Sequence, residues 1–180
     1  MDLNGRIAIV TGGAMGNGLG IVKTFLKLGA TVVILDYSDK LKNTLGELIK
    51  ISQNVIGYKV DITNNELVKR IVDAVYKKYG KIDILVNNAG VAKLVKFEEM
   101  TDEIRDFHID INIKGTWNVT KAVYPYMVKN NYGKIVNLSS VTGPKVADPG
   151  EVAYATTKAA LIGFTKSLAM EGAKNNINVN

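Results

Sequence analysis

The chain of 180 residues contains no cysteine, which excludes disulfides, thiolate nucleophiles and cysteine-ligated zinc. Histidine is almost as scarce: His108 stands alone, too few for a histidine-rich metal centre, and no metal is expected. Arginine is limited to Arg6, Arg70 and Arg105, so lysine supplies most of the 23 basic residues behind the net charge of +6. The lysines are scattered, with no basic cluster or aromatic-interleaved stripe. The arginine fork that reads bases and phosphates is nearly missing, so nucleic acid is not an expected partner. The basic balance equally favours an anionic cofactor or substrate. Long hydrophobic runs are absent too. Ile7-Ala8-Ile9-Val10 and Val32-Val33-Ile34-Leu35 represent the longest, against about 20 apolar residues for a membrane span. The stretch from Met1 to Arg6 leads into a run shorter than the apolar core of a signal peptide. No membrane partner is expected, and the cytoplasm is the default location.

What is present describes one folding unit over residues 1–180. With 47% hydrophobic and 22% charged residues, the composition is that of a globular domain able to bury a core. Runs 7–11, 31–36, 55–61, 82–88 and 133–139 are apolar on successive residues, the mark of strands buried on both faces. Stretches 18–28, 40–50, 65–79, 102–130 and 152–173 read as helices. This alternation predicts the α/β class, a doubly wound parallel sheet of the Rossmann type with right-handed crossovers. Gly29 is expected to end the first helix, Thr63 with Glu66 to cap the third, and Gly80 to close it. A sixth strand has only begun when the sequence stops at Asn180.

Chemistry concentrates at the strand ends. The first strand runs into Thr11-Gly12-Gly13-Ala14-Met15-Gly16-Asn17-Gly18 and then into a helix. Glycines there allow a tight turn and let a pyrophosphate approach amides at the helix N-terminus, where the dipole favours negative charge. The spacing is T-G-x-x-x-G-x-G rather than G-x-G-x-x-G. The second strand ends at Asp36, placed to hydrogen-bond ribose hydroxyls. It would repel a 2′-phosphate by about 4 kcal/mol at about 4 Å and an effective dielectric near 20. Neither Met15 nor Tyr37 offers a compensating charge, so NAD is expected over NADP. Tyr154 and Lys158 lie one helical turn apart on one face. The spacing alone means little, since 8 tyrosines among 20 lysines give about one such pair by chance. Its position at the start of a helix beside the expected crevice gives it weight. A tyrosine acting as acid and base near neutral pH needs its ordinary pKa of about 10 lowered, which a nearby ammonium promotes.

Together these residues resemble the short-chain dehydrogenase/reductase family. The glycine pattern, Asp61-Ile62, Asn87-Asn88-Ala89-Gly90, Asn112 with Gly115, Ser139-Ser140 and Tyr154-x-x-x-Lys158 fall in the family's order along the whole chain. The resemblance implies hydride transfer between NAD and an alcohol or carbonyl substrate, with Tyr154 as general acid and base. It implies that Ser140 polarises the substrate oxygen, that Lys158 also holds the nicotinamide ribose, and that Asn112 helps order a proton-relaying water chain. Ser140 is preferred to Ser139 because it precedes Gly143 by the family's spacing. Gly12, Met15, Gly16, Asn17 and Gly18 would bind the cofactor, Asn17 lying under its nicotinamide half with a backbone amide that can still bind phosphate. Asp61 and Ile62 would bracket the adenine, and Asn88, Ala89 and Gly90 would run beside the adenosine ribose. Asn87 more readily ties strands together. Plainer readings stand beside these: Asp61 capping its turn, the Asn-Asn pair as turn chemistry, and His108 as a core residue four positions before Asn112. Trp117, Tyr124 and Tyr126 read as core or subunit contacts.

The loop Val141 to Val152 would line the substrate pocket. Two departures from the family pattern are visible. Asn17 stands where an isoleucine is usual, and the pattern continues in relatives past the point where this chain stops, so the domain is expected to be C-terminally truncated with its seventh strand missing. Helices 102–130 and 152–173 carry the family's main subunit contact, so a homo-oligomer, dimer or tetramer, is expected. A second reading is an NAD-binding segment that lacks turnover.

Overall fold

Six apolar runs become the strands of one parallel sheet in a computed structural model that describes residues 2–180. In chain order they are β1 (Ile7–Thr11), β2 (Thr31–Asp36), β3 (Val55–Lys59), β4 (Ile84–Asn87), β5 (Gly133–Asn137) and β6 (Ile177–Val179). The sheet order is β3-β2-β1-β4-β5-β6, every neighbouring pair parallel. The order reverses between β1 and β4. The chain leaves these strands in opposite directions there, which opens a crevice at their carboxyl ends.

Helices cover both faces because the strands present apolar side chains to both. Ile7, Ile9, Val33, Leu35 and Leu85 pack with α3 (Asn65–Tyr79) and α5 (Thr116–Lys129). Their alternate neighbours Ala8, Val10, Val32, Ile34, Ile84 and Val86 pack with α1 (Gly16–Lys27) and α2 (Leu41–Leu48). This is the period of two expected when both faces are buried. The expected helix at 102–130 is built in three pieces: α4 (Asp102–His108), a π-helical stretch Ile109–Gly115, and α5. The last long helix is α6 (Val152–Gly172).

Several boundaries differ from expectation. The strands expected at 55–61, 82–88 and 133–139 are shorter at one or both ends; after β3 and β4 the run continues into residues 60–62 and 88, which line the crevice instead. The first helix begins at Gly16, inside the glycine pattern. Thr63 is not the cap of α3. Asn64 holds that position, its side chain accepting from Leu67 N at 3.0 Å, while the Thr63 hydroxyl donates to Asp61. Asx and hydroxyl side chains compete for this role, and Asp61 claims the hydroxyl. Gly80 does close α3, left-handed, with its N–H on Tyr76 O. No helix among the described residues is long and apolar enough to cross a membrane.

Candidate active site

A cleft of about 820 Å³ lies at the switch point, lined by Gly12, Met15 and Asn17 after β1, Asp36 and Tyr37 after β2, Asp61 and Ile62 after β3, and Asn88, Ala89, Gly90 and Val91 after β4. Side chains behind it lock the loops together. Thr11 Oγ1 accepts from Asn88 N and Ala89 N, both at 3.0 Å, and Asn88 Nδ2 donates to Thr11 O and Gly12 O at the same distance. The Asn88 side chain therefore ties the two switch-point loops together, and the residue also lines the cleft. Asn87 Nδ2 donates to Thr120 Oγ1 and Asn137 Oδ1, tying β4 to α5 and β5 as its strand-tying reading requires.

The glycine turn is shaped for close approach. A Cβ on Gly18 would lie 2.8 Å from the carbonyl carbon of Gly12 and 2.5 Å from Asn88 Nδ2. The start of α1 has no side-chain cap and no acidic residue in its first turn, so its leading amides and positive dipole end are left for an anion. Met15 and Asn17 line the cleft, whereas Gly16 is exposed beside it and Gly18 is buried. Asp36 is only 8% exposed: Oδ2 accepts from Ala14 N and Oδ1 from Ser38 N, both at 2.8 Å. It thus braces the glycine turn as well as bordering the cleft. Asp61 Oδ1 accepts from Thr63 N and Thr63 Oγ1, the plainer turn-capping role foreseen for it. A nicotinamide dinucleotide fits this donor set: uncapped amides for its pyrophosphate, a carboxylate at the β2 end for a ribose, and a turn held so close to α1 that any side chain at Gly18 would push it aside.

Beside Gly90 of the cleft, α6 brings Tyr154 and Lys158 onto one face. Lys158 Nζ lies 5.7 Å from the centroid of the Tyr154 ring and donates to Leu138 O at 2.6 Å. Lys158 is 5% exposed, and this burial pulls its ammonium below the ordinary lysine pKa. A Cβ on the cleft residue Gly90 would stand 3.4 Å from Lys158 Nζ and 3.2 Å from Asn112 Oδ1, so all three meet there. Ser139 Oγ donates to Lys158 O at 2.7 Å and is thereby occupied. Ser140 Oγ accepts from Thr142 N at 3.1 Å and keeps its own proton to donate.

Asn112 is fully buried in the π-helical stretch. Its Oδ1 accepts from Val91 N, and its Nδ2 donates to Val91 O and Thr157 Oγ1. Both amide N–H groups are therefore spent on protein. Thr157 Oγ1 passes the link on to Tyr154 O at 2.8 Å. Thr157 and Asn118, whose Nδ2 donates to Ile62 O and Thr63 O, escaped sequence reasoning. Asn118 meets backbone carbonyls 55 and 56 residues away and Thr157 meets a side chain 45 residues away, and the sequence offered no signal beyond Thr157 preceding Lys158.

The crevice, the glycine turn and the Tyr154–Lys158 turn define a dinucleotide-dependent oxidoreductase of the doubly wound class. The profile of the short chain dehydrogenase family matches residues 6–180, and the chain belongs to that family, whose members carry out NAD(P)-dependent oxidoreduction. It is 50% identical over 178 residues to the oxidoreductase UcpA of Salmonella typhimurium strain LT2, covering 99% of this chain and 68% of that one. It is 41% identical over 184 residues to the 3-oxoacyl-[acyl-carrier-protein] reductase FabG of Thermotoga maritima, covering 100% of this chain and 73% of that protein. Among solved structures, an NAD⁺-bound xylitol dehydrogenase matches with a TM-score of 0.95 and 32% identity over 100% of this chain and 70% of its own.

Proposed function

We propose that the chain transfers hydride between NAD and an alcohol or carbonyl substrate, with Tyr154 as general acid and base. The observation that carries this is Lys158, buried beside the Tyr154 ring and next to Gly90 of the cleft that the glycine turn and Asp36 also line. Nicotinamide, when bound, supplies the carbon that accepts or gives up hydride. In the oxidative direction Tyr154 Oη takes the alcohol proton as the carbonyl forms; in the reductive direction it returns that proton to the substrate oxygen. The Lys158 ammonium stabilises the phenolate, and the lowering of its own pKa by burial helps it hand on a proton. The Ser140 hydroxyl donates to the substrate oxygen. Asn112 supports Tyr154 through Thr157 and holds Val91, and so acts by positioning.

Gly12, Met15, Gly16, Asn17 and Gly18 hold the pyrophosphate side, and Asp36 holds a ribose and disfavours a 2′-phosphate. Asp61, Ile62, Asn88, Ala89 and Gly90 border the adenosine half. The same reading pairs two copies of the chain. The groove of about 610 Å³ between α5 and α6 exposes Trp117, whose ring lies 5.2 Å from that of Phe164 and tilted 43° to it, and suits burial against a second copy.

The test is Tyr154→Phe, assayed with NAD on polyols and secondary alcohols and with NADH on ketones. Turnover is expected to vanish while NADH binding stays within about threefold of the parent, since the deleted oxygen touches substrate rather than dinucleotide. Equal turnover in the variant removes Tyr154 from the mechanism. Tighter binding of NADPH than NADH removes the role given to Asp36, and NADH binding without turnover in the parent chain favours a dinucleotide-binding segment.

A further inference from the structure

The segment Val91–Val95 follows the cleft residue Gly90 and is pinned at every second amide. Val91 N donates to Asn112 Oδ1 at 2.8 Å, Lys93 N to His108 Nε2 at 3.0 Å, and Val95 N to Gly150 O at 3.0 Å. The first anchor lies in the π-helical stretch beside Lys158, and the last lies in the loop that leads into Tyr154. His108 is the middle one. It is fully buried, and its Nδ1 is 2.8 Å from Ile104 O. A carbonyl on one side and an N–H on the other fix its tautomer, with the proton on Nδ1 and the lone pair of Nε2 aimed at Lys93 N. A buried aliphatic residue would fill the same space, so the ring's volume does not explain why an acceptor is there. Nothing else in the hydrogen-bond pattern holds the Lys93 amide, and Ala92, Lys93 and Leu94 are exposed around it.

We infer that His108 is a positioning residue for the active site. Its Nε2 holds the Val91–Val95 segment as one wall between the dinucleotide cleft and the loop before Tyr154, and so sets where substrate sits against Tyr154. This rests on the oxidoreductase reading above. Without the acceptor, Lys93 N–H must turn to water, and the wall moves between two anchors that both touch the catalytic turn. The dinucleotide contacts proposed above come from the loops after β1, β2 and β3 and from Asn88–Gly90, and Val91, which also lines the cleft, keeps its own bond to Asn112.

The test compares His108→Leu, which keeps the bulk, with His108→Gln, whose Oε1 falls near the place of Nε2. Amide exchange at Lys93, followed by NMR on the full chain, is expected to be about tenfold faster in the Leu variant, the ratio for loss of one buried hydrogen bond of ordinary strength. It is expected to return to within about threefold of the parent in the Gln variant. In steady-state oxidation of an alcohol, KM should rise about tenfold in the Leu variant with kcat nearly unchanged, and should recover in the Gln variant. NADH affinity should stay within about threefold in both. Unchanged Lys93 exchange in the Leu variant, or no recovery with Gln, overturns the inference, and so does a fall in thermal stability with KM unaltered. An active Tyr154→Phe variant sinks the catalytic reading instead, and the exchange result still judges His108.

Discussion

Three glycines of the first turn and helix should respond to alanine in different ways, and with different signs. At Gly18 the new methyl would stand 2.8 Å from the Gly12 carbonyl carbon, inside its oxygen, and 2.5 Å from Asn88 Nδ2. Neither neighbour is free to retreat. Gly12 N is held by Leu35 O at 2.8 Å, and Asn88 Nδ2 is shared between Thr11 O and Gly12 O. Forcing a methyl against fixed backbone costs about 1–3 kcal/mol, and loss of an Asn88 bond adds about 1 kcal/mol, so Gly18→Ala should cost about 3 kcal/mol. Gly16 has φ +55 and nothing within 4 Å of its would-be Cβ, so only the left-handed backbone is penalised, by about 1–2 kcal/mol. Gly20 lies in α1, exposed, with normal helical φ and open space around its Cβ. Alanine there should stabilise by about 0.5–1 kcal/mol through helix propensity alone.

Urea unfolding measures all three, and fluorescence titration with NADH separates binding from stability. Gly18→Ala should lose NADH binding more than 100-fold, because the Gly12 and Asn88 groups it displaces frame the cleft, while Gly20→Ala should bind as the parent does. The reasoning fails if Gly18→Ala and Gly20→Ala shift stability by equal amounts, or if Gly16→Ala costs more than Gly18→Ala.

Such differences between chemically identical residues explain what the sequence could and could not reveal. β1, β2 and α3 were legible to the residue because their signals are local: unbroken apolar runs for the strands, and a helical stripe ended by Gly80 for α3. The doubly wound parallel class followed from the alternation of strands and helices, while the strand order and the place of its reversal are read from the structure. The π-helical stretch was not legible, because it forms where Asn112 reaches across to Val91 and Thr157, partners 21 and 45 residues away. The same holds for Asp36. Its place at a strand end was readable, but its second duty on Ala14 N depends on how the turn folds back. At Asn64 the competing cap was adjacent in sequence. It was missed because the choice between Thr63 and Asn64 turns on whether Asp61 captures the hydroxyl.

That cap gives a direct check: Asn64→Ala should cost about 1 kcal/mol in urea unfolding, and Thr63→Ala no more than about 0.5 kcal/mol, so the reverse order would restore Thr63 as the cap. Tyr126 donates to Asp73 Oδ1 at 2.7 Å, and chiefly through this bond its pKa is pushed up to about 12. The protonated phenol is the bound form, so its contribution to stability is complete below the ordinary value of about 10 and is lost as pH rises through about 12. Burial raises Tyr124 as well, so ultraviolet titration should find more than one late tyrosine, of which the Tyr126 step alone moves back in Asp73→Asn; an unaltered late step refutes the pairing. Asp83 makes the sharpest division between charge and backbone support. Its side chain is 5% exposed, with Oδ1 accepting from Arg6 Nη1 at 2.7 Å and Oδ2 from Ile7 N at 2.9 Å. Arg6 is 39% exposed on its side chain and stacks 4.5 Å over the Tyr132 ring, so it can be rehydrated when the carboxylate is removed. The Ile7 amide cannot, because β1 is buried. Asp83→Ala should therefore cost about 3 kcal/mol, the low end for breaking a buried pair, and Asp83→Asn, which keeps an acceptor for Ile7 N, about 1 kcal/mol. Equal losses in the two variants would show that the ion pair with Arg6, and not the bond to the start of β1, is what Asp83 contributes to this end of the sheet.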